Sequence, residues 1–156
     1  MKKIDAALLI LLILLLAFAA FFFAGGTLQA RAAKTVAPAS EQLETFASIQ
    51  RLLASGAAPQ VFSDAIPQSA EDCSLVEATI ALANPGLFDA EWLTISVEGA
   101  SGDIAVYSLS GEATDIPARS TAQIQLKLLT TRPDAPRTAT IQYYVFGLSR
   151  SISVEF

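Results

Sequence analysis

The chain has no histidine, one cysteine and one methionine. Histidine is the commonest metal ligand and the commonest general base near neutral pH, so its absence removes most zinc and hydrolase chemistry. A single cysteine cannot form an internal disulfide, so any folded part must stand on its apolar core. Cys73 then reads as a small residue near a strand start, or as half of a bond to a second chain. No glycine-rich phosphate loop, Cys-x-x-Cys pair, zinc signature or Gly-x-Ser-x-Gly elbow is present. Two groups of carboxylates sit near one another: Asp64, Glu71 and Asp72, and further on Asp89 and Glu91. Oxygen ligands of this kind suit calcium, but no calcium-loop motif surrounds them. An acid pair working as general acid and base would need a cleft, which a small β-domain rarely offers. The expectation is therefore no enzyme, no cofactor, and no catalytic, cofactor-binding or metal residue.

Positive charge is scarce beyond the first residues. From Thr35 onward there are fourteen Asp or Glu against six Lys or Arg. A domain of that sign repels nucleic acid and anionic headgroups, so no nucleic-acid partner is expected.

What the sequence does have is a long apolar head. Residues 6–30 carry no charge, and the run ALLILLILLLAFAAFFFA from Ala7 to Ala24 is nearly pure Leu, Ile, Ala and Phe. About twenty such residues span a bilayer as a helix. Lys2 and Lys3 precede the run, and Arg31 and Lys34 follow at a distance, which favours a cytoplasmic N-terminus. A cleaved signal peptide is the competing reading, but the apolar run is longer than the 7–15 residues of a signal h-region. Either way the remainder lies outside the cytoplasm. The expected organisation is a cytoplasmic stub and anchor over 1–26, a linker with an amphipathic helix over 27–59, and a β-domain over 60–156. Gly25-Gly26 is read as the end of the first helix. The domain is expected to fold from about Gln60 onward.

Within the linker, Ser40 reads as a helix N-cap, with Glu41 and Glu44 in the first turn, where the helix dipole favours acids. Leu43, Phe46, Ile49, Leu52 and Leu53 form one apolar stripe at helical spacing, and Gly56 closes the segment. This stripe could pack on the β-domain, or make residues 41–55 a homo-oligomer contact.

From Ser74 the period becomes two. Val76, Ala78, Ile80 and Leu82 alternate with more polar or smaller residues until Asn84-Pro85-Gly86 stops the strand. Leu93, Ile95 and Val97 define a second strand. Ile104–Leu109, a short Ala113–Ile116, Thr121–Leu129, Thr138–Phe146 and Ser149–Phe156 follow, and Gln60–Phe62 could add an edge. Ile124, Leu126 and Leu128 point inward and Gln123, Gln125 and Lys127 outward. Trp92 is read as a core or plug residue, with ligand stacking the lesser alternative. Tyr143 and Tyr144, being adjacent, face opposite sides. Turns every 8–12 residues make this an all-β chain, an antiparallel sandwich of the immunoglobulin or fibronectin kind.

Two stretches resemble a known family. Val76–Pro85, an alternating strand ending in Asn-Pro, and Thr114–Ser120, with its Ile-Pro-Ala turn before another strand, are similar to the late embryogenesis abundant type 2 domain, also called the water-stress and hypersensitive-response domain. The resemblance covers about residues 74–130. It implies a β-sandwich, membrane-anchored outside the cytoplasm in some members, with a binding role and no catalytic residues. The functional expectation is a membrane-anchored extracytoplasmic binding module for a protein partner or surface polymer. The alternative is a structural subunit of a cell-envelope or surface-appendage assembly, its helix packed on partner helices.

Overall fold

A computed structural model of the chain describes residues 2–24, 27–111 and 114–156, with the side chains of 2–5 and 22–24 set aside. The expectation for Gly25-Gly26 therefore lies outside the described residues. Helix α1 runs Lys2–Ala24. Among the described residues no helix is long and apolar enough to cross a membrane.

The rest is a sandwich of two antiparallel sheets. Its strands are β1 (Gln29–Pro38), β2 (Gln60–Val61), β3 (Ser74–Ala83), β4 (Glu91–Glu98), β5 (Asp103–Ser110), β6 (Thr121–Thr130), β7 (Thr138–Val145) and β8 (Leu148–Glu155). The larger sheet has the order β1-β3-β6-β5-β2 and the smaller β4-β7-β8. Period-two alternation builds the core between them: Val76, Ile80 and Leu82 of β3 and Ile124, Leu126 and Leu128 of β6 meet Ile141 and Tyr143 of β7. Gln123 and Gln125 are exposed, as expected. Tyr143 is 1% exposed and Tyr144 39%, so the neighbours do part to opposite faces.

The main departure from the sequence expectation is β1. Residues 29–38, expected as linker, pair with β3 in antiparallel register over ten residues, from Gln29↔Ala83 to Pro38↔Ser74. The sandwich therefore begins at β1 and not near residue 60. Without β1, β3 would become an unpaired edge.

Helix α2 (Leu43–Ala54) follows a short 3-10 turn over Ala39–Glu41. Its N-cap is Gln42, without a side-chain capping bond, and not Ser40. The turn displaces the helix start by two residues. Phe46 and Ile49 are buried on the outer face of the larger sheet against Leu75, Ile104, Ala105 and Leu129. Phe46, Ile49 and Leu53 of the stripe are thus used on the chain's own sheet, while Leu43 is 63% exposed. Leu129 and Leu75 are buried on the face opposite their alternating neighbours because α2 covers them. Gly56 ends the segment at φ +69°, as only glycine does without strain. Ile116 makes an isolated bridge with Ala90 where a short strand was expected; Ala113 lies outside the described residues.

Candidate functional site

The strand register divides the molecule into two ends. Gln29, Ala83, Glu91 and Tyr144 lie at the end where the chain enters from α1. Asp103, Thr130 and Thr138 lie at the far end.

The far end is closed by a buried ion pair. Arg137 and Asp103 have fully buried side chains and meet through two guanidinium nitrogens. The remaining donors of Arg137 are used on the loop beside it: Nη1 donates to the carbonyls of Pro133 and Ala135, and Nη2 to the carbonyl of Arg132 and to Thr130 Oγ1. Asp103 Oδ2 accepts the N–H of Ala100 at 2.7 Å. Burial pushes the Asp103 carboxyl up. Hydrogen bonds from Arg137, Ala100 and Thr130, with the Arg137 charge, outweigh it and hold the group below the ordinary carboxylate value. A cleft of about 600 Å³ opens beside this pair, lined by Phe62, Ser63, Pro67, Ser101 and Thr131 among others. Every polar atom of the pair already has a partner inside the protein, so the clasp is structural.

The near end is built differently. Asn84, which stops β3, is buried, and its Nδ2 shares two hydrogens among the carbonyls of Phe88, Ile116 and Pro117 at 2.8–3.2 Å. Its Oδ1 accepts the N–H of Gly86. The Asn-Pro and Ile-Pro turns, far apart in sequence, are thereby clasped together. Leu28 enters the core there, and its N–H donates to the Tyr143 hydroxyl at 3.0 Å.

Around this clasp the apolar side chains turn outward. Trp92 is 74% exposed, Phe146 58%, Leu148 45% and Leu87 43%. Trp92 therefore corrects the expectation of a core residue. Between the pairs Glu91↔Tyr144 and Thr94↔Gln142, three steps on β4 face two on β7. Trp92 lies within that bulge at φ +56°, and its ring faces outward on the same side as Thr94 and Ser96. The backbone N–H of Trp92 is held by Asp115 Oδ1 at 3.0 Å, and the ring sits edge-to-face with Tyr144 at 6.3 Å. Phe146 and Gly147 form the two-residue tip of the β7–β8 hairpin, at φ +53° and +72°. Such turns favour Asn-Gly, because both positions need positive φ. A phenylalanine in the first position costs backbone energy, and its ring packs edge-to-face on Phe88 at 4.2 Å. The third non-glycine residue with positive φ, Arg119, lies in the Pro117–Ser120 turn at the same end. A hollow of about 520 Å³ lies among Leu87, Phe88, Asp89, Glu91 and Phe146.

The acidic residues noted in the sequence do not converge. Asp89 Oδ1 accepts the N–H of Ala118, joining the two near-end turns. Among the described residues no group of three or more Cys, Asp or Glu is placed to hold a metal. Cys73 is buried at the start of β3, and burial, with Asp72 nearby, raises its thiol pKa. A thiol held protonated is a poor nucleophile.

Fold and site together define a small β-sandwich whose conspicuous surface is an aromatic end. No protein-family profile and no curated protein matches the chain. Among solved structures, the putative ApaA protein of Bordetella pertussis is similar at a TM-score of 0.50 and 11% identity, covering 83% of this chain and 90% of its own. The GAE domain of yeast GGA1 aligns at a TM-score of 0.42 and 12% identity over 53% and 77%. That of GGA2p from Saccharomyces cerevisiae aligns at 0.41 and 8% over 53% and 74%. At these identities the likeness concerns the fold alone, and only the first bears on it.

Proposed function

We propose that this chain is a membrane-anchored binding module, its β-sandwich held outside the cytoplasm by α1, without catalytic activity of its own. The observation that carries the reading is the surface of α1. From Leu8 to Leu16, and at Phe18 and Phe21, every large apolar side chain is more than half exposed. A helix that is apolar all round belongs in a protein core or a bilayer, and the sandwich already has its own core. The side chains described in α1 cover 6–21, short of a full crossing, whereas its backbone continues over 23 residues. Without its charged first turn the helix covers Ala6–Ala24, about 28 Å at 1.5 Å per residue, close to the roughly 30 Å of hydrocarbon. Lys2 and Lys3 favour a cytoplasmic start.

The strand order supports the finer fold reading. With the two-residue β2 set aside and the other seven strands lettered in chain order, the sheets read A-B-E-D and C-F-G. That is the arrangement of constant-type immunoglobulin domains. The paired Asn-Pro and Ile-Pro turns are compatible with the late embryogenesis abundant type 2 resemblance, whose members bind without catalysis.

The test is topology. Protease added to wall-stripped cells should digest residues 75–156, while alkaline carbonate should leave the chain in the membrane pellet. Full protection of the domain would overturn the outside placement, and release by carbonate would overturn the anchor. A stoichiometric complex recovered in mild detergent would instead identify a subunit of a larger envelope assembly.

A further inference from the structure

The aromatic end and the anchor meet at the same place, which the sequence alone does not show. Resting on the anchored reading above, we propose that the near end of the sandwich is a membrane-interface surface: Trp92, Phe146, Leu148 and Leu87 sit in the headgroup layer of the bilayer that α1 crosses. Three observations carry this. First, Leu28 is buried in the sandwich core and tied to Tyr143, only four Cα steps after Ala24. Whatever path Gly25 and Gly26 take, four steps reach at most about 14 Å. The domain therefore cannot stand away from the bilayer, and the end it turns toward the lipid is the end that carries these side chains. Second, Trp and Tyr favour the membrane–water boundary, where an apolar ring and a polar edge are both satisfied. Third, both exposed rings sit on costly backbone. Trp92 at φ +56° and Phe146 at φ +53° occupy the left-handed region that bulky side chains disfavour, and local cost of this kind marks functional positions.

The charge at this end decides the kind of contact. Asp89, Glu91 and Asp115 share this end with Arg31, Arg119 and Arg150, three carboxylates against three cations, so the described residues give no excess of positive charge. Attraction to anionic headgroups is not the driving force. Insertion of apolar rings is, and it should be indifferent to lipid charge and to salt, unlike the basic amphipathic surfaces that bind anionic membranes.

The chain has one tryptophan, which makes Trp92 its own reporter. The full chain is reconstituted into phosphatidylcholine vesicles and, separately, into vesicles with added phosphatidylglycerol. Some lipids carry a bromine or nitroxide quencher near the headgroup and others deep in the acyl chains. The expected result is blue-shifted emission, strong quenching by the shallow label, weak quenching by the deep one, and the same profile with both lipids and in high salt. Phe146→Asn, which suits the left-handed hairpin tip, should weaken the lipid quenching with little change in the thermal midpoint. Emission that is fully accessible to aqueous acrylamide and untouched by lipid quenchers would overturn the proposal while leaving the anchor standing, provided that carbonate fails to extract the chain. A blue shift that grows with protein-to-lipid ratio, without lipid quenching, would assign the surface to a second copy and overturn it too. Carbonate release would overturn the anchor and the proposal together.

Discussion

The two ends of the sandwich solve opposite problems with the same kind of turn-rich backbone. The far end buries its charges: Arg137 is 1% exposed, and its guanidinium is bonded to one carboxylate, one hydroxyl and three carbonyls. The near end does the reverse and exposes its aromatic residues, held out by positive-φ backbone. A buried polar network, fully satisfied, makes one arrangement of the loops unique. Exposed apolar rings stabilise the domain less than buried ones would, and their exposure needs a reason outside it. The comparison teaches that the buried charge pair and the exposed apolar surface lie at opposite ends of the sandwich.

The largest effect expected is from removing β1. A fragment starting at Gln60 lacks ten residues of pairing along β3 and the seat of Leu28, and it should aggregate or fail to give a cooperative transition. A fragment starting at Thr27 should fold. Size-exclusion chromatography and urea denaturation distinguish the two, and equal behaviour would mean that β1 is a dispensable addition.

Next is Arg137→Met in the Thr27 fragment. Breaking a buried pair by removing one partner costs about 3–5 kcal/mol, because the other charge is left buried. The pH dependence gives the sign. In the native protein Asp103 is held below its ordinary value of about 3.9. Its contribution is complete above that value and is lost as pH falls through the lower, folded-state value. In the variant the carboxyl loses Arg137, and burial, the largest influence, is opposed only by the hydrogen bonds from Ala100 and Thr130, so its pKa rises. Acidification toward about pH 4 should therefore narrow the gap between native and variant. A gap that stays constant from neutral pH to that point would show that Asp103 is not the group responsible.

Ile124→Ala should cost about 2–5 kcal/mol, since Ile124 is buried between the sheets. Gln125→Ala, one residue along and exposed, should stay within about 0.5 kcal/mol. Comparable losses at both would remove the one-face burial of β6.

These two positions show how much of the fold is legible in the sequence. Strands β3, β4 and β6 carry strict alternation, and α2 carries a helical stripe, so each announces itself. Strand β1 does not. Gln-Ala-Arg-Ala-Ala-Lys-Thr-Val has little β propensity, and its conformation comes from pairing with β3, a tertiary effect. Trp92 was misplaced because its size was read before its register: Leu93, Ile95 and Val97 face the core, so period two sends Trp92 outward with Thr94 and Ser96. The Asp103–Arg137 pair leaves no trace, because 34 residues separate the partners and neither lies in a motif. Phe146 did leave a signal. Phe-Gly between two strands stands where a hairpin tip prefers Asn-Gly, and that mismatch points to a residue kept for another purpose.

Phe146→Asn follows from it, with the smallest effect on stability. Relief of the left-handed backbone is worth about 1–2 kcal/mol, and loss of the Phe88 contact costs about 0.5–1.5 kcal/mol. The net change should lie within about 1 kcal/mol in a thermal melt. A loss far beyond that would make Phe146 a core residue and not a surface device.

One measurement sets the two ends directly against each other. In proteoliposomes of the full chain, native Trp92 reports on the near end. The double substitution Trp92→Phe with Asp134→Trp moves the only tryptophan to an exposed position in the far-end loop. With shallow lipid quenchers and aqueous acrylamide applied to both proteins, lipid should quench Trp92 and leave the far-end tryptophan bright, and acrylamide should do the opposite. The same quenching at both ends, or stronger lipid quenching at the far end, would contradict a domain seated on the membrane by its aromatic end.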